Sequence, residues 1–272
     1  LYVGVMDDIV VMRAYKKLIA QIVVAALLVI GSDVRIRSLF GVFGVYELNY
    51  FLSVIFSIVT FIILVNAYNL IDGIDGLAGV YGVICFSLFG ISYYRLGEYN
   101  YPLVILSTTI IGTVIGFLYY NLSDRSKKIF MGDTGSMLLG FLLTFTSICF
   151  MDIFIVKKVQ GAVFYHLNTA PVMAIAIMIL PIIDTLNVIT IRLAEKRSPF
   201  DADKNHIHHK LLKLGITHKR ATLYIISYYL FIVIISYFLR HVEVNLLLII
   251  ILLLGFLGAY LPDFFYKRKI NN

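Results

Sequence analysis

Charge is scarce in this chain: only 14% of its 272 residues are Asp, Glu, Lys or Arg, against 60% hydrophobic residues. That balance excludes a soluble single domain, because the apolar surface exceeds what one aqueous core could hide. Cysteine is nearly absent. The two present, Cys85 and Cys149, fall inside apolar runs, which gives no basis for a disulfide or a cysteine-held metal and suits small buried hydrophobes. No GxxxxGK[ST] segment occurs, so nothing points to ATP chemistry. Alternating polarity is missing too, and the apolar runs are about twice the length of a barrel strand, which removes a transmembrane β-barrel.

What is present is a set of long apolar runs, with a mean hydropathy of +0.91. Eight are read as spans: 18–31 (short), 49–67, 77–93, 101–120, 135–155, 169–191, 221–239 and 244–261. Their lengths match what a helix needs to cross the hydrocarbon layer. The expected fold is an all-α integral membrane protein, a single polytopic domain over residues 1–272 with about eight transmembrane helices. With the start of the chain inside, the inner loops are 1–17, 68–76, 121–134, 192–220 and 262–272. Those loops hold three, none, three, eight and three of the 23 Lys and Arg residues, while Arg35, Arg37, Arg95, Lys157, Lys158 and Arg240 lie outside. The positive-inside rule fixes that orientation. The sequon at Asn121 then faces the cytoplasm and receives no glycan. The net charge of +7 sits on one membrane face, which suits anionic lipid headgroups and phosphorylated substrates and argues against nucleic acid.

Polar clusters gather on the inner side. Asp7 and Asp8 follow an apolar stub and precede Arg13, Lys16 and Lys17; adjacent carboxylates repel, which makes an acid/base pair or a metal site plausible, although such a dipeptide on its own is more often a solvated helix cap. The segment NAYNLIDGIDGLAG, Asn66 to Gly79, puts two amides and two carboxylates at the end of a span, where charge persists only with compensation. Asn69, Asp72 and Asp75 are spaced i, i+3, i+6 and would project toward one side while a helix continues; Gly73 and Gly76 allow close approach and end it. In KKIFMGDTGS, Asp133 stands between Gly132 and Gly135 at the start of a span, the position of a helix cap or of a seat for a metal-bound phosphate.

Asp184 is an intramembrane acid eight residues before Arg192, and either a function or a structural hydrogen bond accounts for it. The loop that follows concentrates Arg192, Arg197, Lys204, His206, His208 and His209. No second histidine pair or cysteine completes a zinc site, so a cationic, hydrogen-bonding clamp over a diphosphate is the better reading. Gly112 and Gly116 form a small-xxx-small pair that helix packing explains. Most polar groups lie on one side and no internal repeat is visible, which disfavours a secondary transporter.

In order, the DD pair, NAYNLIDGIDGLAG, FMGDTGS and HIHHKLLKLG resemble the polyprenyl-phosphate N-acetylhexosamine-1-phosphate transferases, over essentially the whole chain. The HIHHKLL form is similar to the branch that primes O-antigen, enterobacterial common antigen or wall teichoic acid. The PLHHHFE-like sequence of the phospho-MurNAc-pentapeptide branch is missing. The resemblance implies a bacterial plasma (inner) membrane enzyme with a cytoplasmic active site. It implies transfer of GlcNAc-1-phosphate from a UDP-N-acetylhexosamine to undecaprenyl phosphate with release of UMP, and Mg²⁺, with Mn²⁺ as an alternative, as cofactor. Membrane lipid surrounds such a protein, and a homodimer is compatible with it.

By position, the resemblance implies Asp7 and Asp8, with Lys17, near the lipid phosphate, Asp7 being the base. It implies Asn69, Asp72 and Asp75 in the sugar-nucleotide and metal region, Asn121 and Phe130 near the uridine, and Asp133 as metal ligand beside Asp75. His206, His208, His209 and Arg197 would lie along the diphosphate and sugar, and Asp184 and Arg192 are taken as further substrate-binding residues. Two departures stand out. Family members have further spans ahead of the DD pair, so eight of about eleven spans are expected here, and an inactive relative is the rival reading. The LSDRSKK segment also lengthens the loop after Asn121.

Overall fold

The computed structural model describes residues 2–10, 12–123, 126–156, 167–198 and 205–271. Arg125, Lys157, Lys158 and Lys204, counted above among the loop cations, lie outside the described residues. The apolar runs are helical: α1 (Tyr2–Val10), α2 (Ala14–Gly31), α3 (Tyr50–Ile71), α4 (Leu77–Arg95), α5 (Tyr101–Asn121) and α6 (Gly132–Val156) are followed by α7 (Ala170–Ile177), α8 (Ile179–Ala194), α9 (Ile207–Lys213), α10 (His218–Phe238) and α11 (Val244–Asn271). Seven of these are long and apolar enough to cross a membrane, and α7 with α8 makes an eighth, broken span. The protein is a polytopic membrane bundle. Its interior lies around α4 and α6, whereas α2 and α5 turn most of their side chains outward, as helices facing lipid do.

The spans begin and end where capping chemistry permits. The Asn49 side chain accepts the Leu52 N–H at 2.9 Å and opens α3, and Glu243 accepts the N–H groups of Asn245 and Leu246 ahead of α11. Buried serines and threonines bond the carbonyl one turn back, as Ser57 does with Ser53 and Thr144 with Gly140, which satisfies their hydroxyls inside the apolar layer.

Three expectations are corrected or extended. The span expected at 169–191 is not one rod: α7 and α8 meet at a 75° bend. Pro181 has no N–H to give the carbonyl of Ile177, four residues back. That carbonyl instead accepts the hydroxyls of Tyr81 at 2.9 Å and Tyr229 at 3.0 Å and the Cys85 thiol at 3.3 Å. The freed acceptor binds α4 and α10 to the break.

Second, the bundle is the helical one expected, but the connection between its first two spans carries a small addition. An antiparallel hairpin, β1 (Ser38–Val42) with β2 (Val45–Glu47), joins α2 to α3. Its two-residue turn, Phe43 and Gly44, has φ of +52° and +77°, the sign a tight hairpin turn of this twist requires. Arg37 ties this hairpin to Asp152 near the end of α6, and Asn245 accepts the Phe43 N–H at 2.7 Å.

Third, Gly112 and Gly116 mediate no helix contact within the chain. A Cβ at either would meet nothing within 4 Å. Gly140 does bring two helices together: a Cβ there would lie 2.9 Å from Tyr68 Cβ and 3.2 Å from Val65 Cα. At that separation α3 and α6 have no room for a side chain.

Replacing Gly140 by Leu should therefore cost about 1–3 kcal/mol of stability, the usual cost of overpacking. Gly112→Leu should be close to neutral. Thermal unfolding of both variants in detergent checks this, and equal melting temperatures would contradict the close packing.

Candidate active site

The site is built at the end of the bundle opposite the hairpin, where α1, the α3–α4 turn, the start of α6 and α9 meet. Its first fixed point is the N-terminus of α6. Asp8, on α1, accepts the N–H groups of Asp133 at 2.8 Å and Thr134 at 3.0 Å and the Thr134 hydroxyl at 2.5 Å. Asp8 caps a helix remote from it in sequence, satisfying N–H groups that would otherwise lack partners. The Thr134 hydroxyl, then the two amides, hold its carboxyl below the usual range. Glycine makes the approach feasible: a Cβ on Gly4 would lie 2.4 Å from Thr134 Cα, and one on Gly132, at φ +63°, would lie 2.9 Å from Asp8 Oδ2.

Lys17 supplies the second fixed point. Its Nζ lies 2.9 Å from Asp7 and 2.5 Å from Asp133, so one ammonium bridges two carboxylates from distant segments. Asp7 also accepts the Met12 N–H at 2.7 Å. The hydrogen bond with the Asp133 carboxyl first, and Lys17 next, lower the Asp7 pKa to about 2. Asp7 is thereby held as a carboxylate beside Lys17 at neutral pH.

The aspartates of the α3–α4 turn are arranged differently from the expected helical face. α3 stops at Ile71; Asp72 is its C-cap, and the Asp72 N–H turns back to the Asn69 carbonyl at 3.3 Å. Asn69, in the last turn, accepts the Ser136 hydroxyl from α6. Asp75 is taken up by Lys128 at 2.6 Å and by His218 Nδ1 at 3.3 Å, and its carbonyl accepts the Thr222 hydroxyl at 2.9 Å. Asn121 is buried with both ends engaged: its oxygen accepts the Gly76 N–H at 2.8 Å and its nitrogen donates to the Ile129 carbonyl at 2.9 Å. Asn121 thus latches the 126–131 segment to the aspartate turn.

The histidine loop closes the site. Asp184, almost fully buried in α8, meets His206 Nδ1 at 2.8 Å and accepts the Ile207 N–H at 2.7 Å, so the intramembrane acid caps α9. The rings of His206 and His208 stack with centroids 5.7 Å apart, and those of His208 and His209 are 4.2 Å apart. His208 lies on the aspartate turn, where a Cβ on Gly73 would fall 2.1 Å from its Nε2. Burial lowers the His208 pKa to about 4, and Nε2 has no hydrogen-bond partner among the described residues. Arg192 is buried in the last turn of α8; Arg197 is exposed and paired with Glu195 at 3.0 Å.

One carboxylate stands apart. Among the described residues, no side chain or amide hydrogen-bonds the half-buried Asp72 carboxylate. Burial first, then the charges of Asp133 and Asp75, raise its pKa to about 7. Three acids therefore share one field. No three His, Cys, Asp or Glu side chains among the described residues form a closed metal cage.

A family model described as glycosyl transferase family 4 matches residues 1–151, more than half of the chain. The chain belongs to glycosyl transferase family 4. Among its relatives in that family, the decaprenyl-phosphate N-acetylglucosaminephosphotransferase of Mycolicibacterium smegmatis is 36% identical over 137 residues, 50% of this chain and 32% of that protein. The undecaprenyl-phosphate alpha-N-acetylglucosaminyl 1-phosphate transferase of Salmonella typhi is 28% identical over 227 residues, 81% of this chain and 57% of that one. Its counterpart in Yersinia pestis is 29% identical over 226 residues, covering 81% and 58%. The chain spans between about a third and three fifths of the length of these relatives. The family match takes in the DD pair, the aspartate turn and the start of α6, and it ends before the histidine loop.

Sequence reasoning missed the partners that hold the acids: Thr134, Ser136, Lys128 and His218. Thr134 and Ser136 stand inside the FMGDTGS segment, where a Thr and a Ser beside a helix start are a capping signal. Lys128 and His218 looked like loop charges, and nothing in their spacing links either to Asp75.

The two kinds of acid should respond oppositely to substitution. Asp8→Ala removes a helix cap and should cost about 0.5–2 kcal/mol at pH 7. Asp72→Asn should stabilise the ligand-free protein at pH 8. Its folded pKa of about 7 exceeds the ordinary 3.8, so ionisation penalises the fold fully above pH 7, and the penalty fades as pH falls toward 3.8. Melting temperatures across pH 5 to 8 read both effects, and a loss of stability in Asp72→Asn at pH 8 would contradict the field described here.

Proposed function

We propose that this protein transfers an N-acetylhexosamine-1-phosphate, GlcNAc-1-phosphate foremost, from a UDP-sugar to undecaprenyl phosphate. The acceptor's phosphate oxygen would attack the β-phosphorus of the donor; the bond from that phosphorus to the bridging oxygen breaks, and UMP leaves. One phosphoanhydride is formed as another is lost, so no ATP is required. We place the reaction on the cytoplasmic side of the bacterial plasma membrane, on the strength of the cation distribution.

The observation that carries this reading is the Lys17 bridge between Asp7 and Asp133. It sits where α2 enters the apolar layer, the depth at which a lipid phosphate reaches a protein. An ammonium held by two carboxylates is positioned for an anion without being left unpaired beforehand. A phosphate monoester with a second pKa near 6 is already mostly dianionic at neutral pH, so the acceptor needs no base. Asp7 then serves to hold Lys17, and Asp8 to aim the α6 N-terminus, whose amides favour an anion.

A divalent cation fits the acids present. Asp133 and Asp75, each paired with an ammonium in the ligand-free protein, would hold Mg²⁺, with Mn²⁺ as an alternative, and Asp72, whose carboxylate hydrogen-bonds none of the described residues, would join them. Mg²⁺ is commonly held by one or two carboxylates together with substrate phosphates, so a closed cage is not needed. When bound, the ion would neutralise diphosphate charge and help UMP to depart. His206, His208 and His209, on the loop that Asp184 fixes through His206 and the Ile207 N–H, would face the sugar diphosphate as hydrogen-bond donors. The names of the relatives support a polyprenyl-phosphate acceptor and an N-acetylglucosamine phosphate as the group transferred.

Transfer of label from radioactive UDP-GlcNAc to undecaprenyl phosphate by the purified protein in detergent tests the proposal. Asp133→Asn should lower turnover about a hundredfold or more, the scale of losing one charge-stabilising group in such a site. Label transfer that is absent from the unaltered chain, or unchanged in Asp133→Asn, would refute it.

A further inference from the structure

Lys128 belongs to a group of contacts that neither the capping network nor the Lys17 bridge explains. Its ammonium lies 2.6 Å from Asp75 and 5.3 Å from the centre of the Phe130 ring. Phe130 is 75% exposed, an unusual state for a ring in a segment pinned at Ile129 by the buried Asn121. The 5.3 Å separation sets the ammonium of Lys128 beside the ring of Phe130. A cation and an open aromatic face are thus displayed together, on a backbone that Asn121 holds still, beside the aspartate turn.

We propose that Lys128 is a phosphate-binding residue of the nucleotide site, leaving Asp75 for the diphosphate when the sugar nucleotide enters. Three observations favour the exchange. The Lys128–Asp75 pair is partly exposed on both sides, and ion pairs in that setting contribute little. A diphosphate offers more charge and more acceptor oxygens than one carboxylate. Asp75 also keeps other ties, His218 at 3.3 Å and Thr222 at its carbonyl, so the turn stays in place when Lys128 departs. The resting pair stores the cation next to its ligand and keeps Asp75 from repelling the incoming anion. Phe130 would stack on the base while Lys128 reaches the phosphates.

The assignment rests on the sugar-nucleotide reading of the site, and the experiment separates the two. Binding of uridine, UMP, UDP and UDP-GlcNAc is measured for the unaltered protein, Lys128→Gln and Lys128→Arg in detergent. Lys128→Gln should weaken UDP and UDP-GlcNAc about tenfold or more, the scale of one charged hydrogen bond, and leave uridine unchanged. Lys128→Arg should recover most of the loss. Equal weakening of all four ligands would make Lys128 a structural residue, and unaltered UDP affinity in Lys128→Gln would make it a bystander; either overturns the proposal while the reading of the site stands. Failure of the unaltered protein to bind any of the four ligands would overturn both.

Discussion

Like charges crowded at the end of an apolar bundle are the constraint around which this structure is arranged. Asp7, Asp8, Asp72, Asp75 and Asp133 come from three separate segments, and carboxylates that close repel one another in a medium that screens poorly. Four of the five are neutralised individually. Asp8 spends its charge on the start of α6, Asp7 and Asp133 share Lys17, and Asp75 takes Lys128 with His218. Only Asp72 is left facing its neighbours, and its raised pKa records the remaining repulsion. A site in that condition favours a cation or a proton.

The same economy governs the apolar layer. Pro181 releases the Ile177 carbonyl, and three polar groups from two other helices converge on it. The break re-aims α8, which carries Asp184 to the histidine loop, and Asp184 in turn caps α9. A helix irregularity deep in the bundle is thereby linked to the position of imidazoles at its surface. Irregular backbone at membrane depth is tolerated when protein groups satisfy it, and here Tyr81, Tyr229 and Cys85 do so.

Much of this was legible in the residues. The spans, their number and the side on which chemistry gathers follow from run length and the placement of cations, since both are imposed by the bilayer rather than by neighbouring side chains. The identities of Asp72, Asp133 and the histidines stood out because charge and imidazole are costly there. Their mutual arrangement did not. The helical spacing of Asn69, Asp72 and Asp75 suggested one face, yet α3 ends at Ile71, because glycines after Asp72 favour a turn over another helical step. The hairpin was hidden in a loop of ordinary composition, and Gly112 with Gly116 suggested packing that Gly140 performs.

The sequence by itself determined the solvent of this protein: apolar run lengths and the bias of basic residues are local quantities, and each bilayer crossing is specified by the residues within it. Only the tertiary structure decided which acid does what. Asp7 and Asp8 are adjacent and chemically identical, yet one grips Lys17 and the other caps α6, 125 residues away in sequence. That division depends on where helix termini fall in space, and a carboxylate's proton affinity is set by the partners the fold brings within reach.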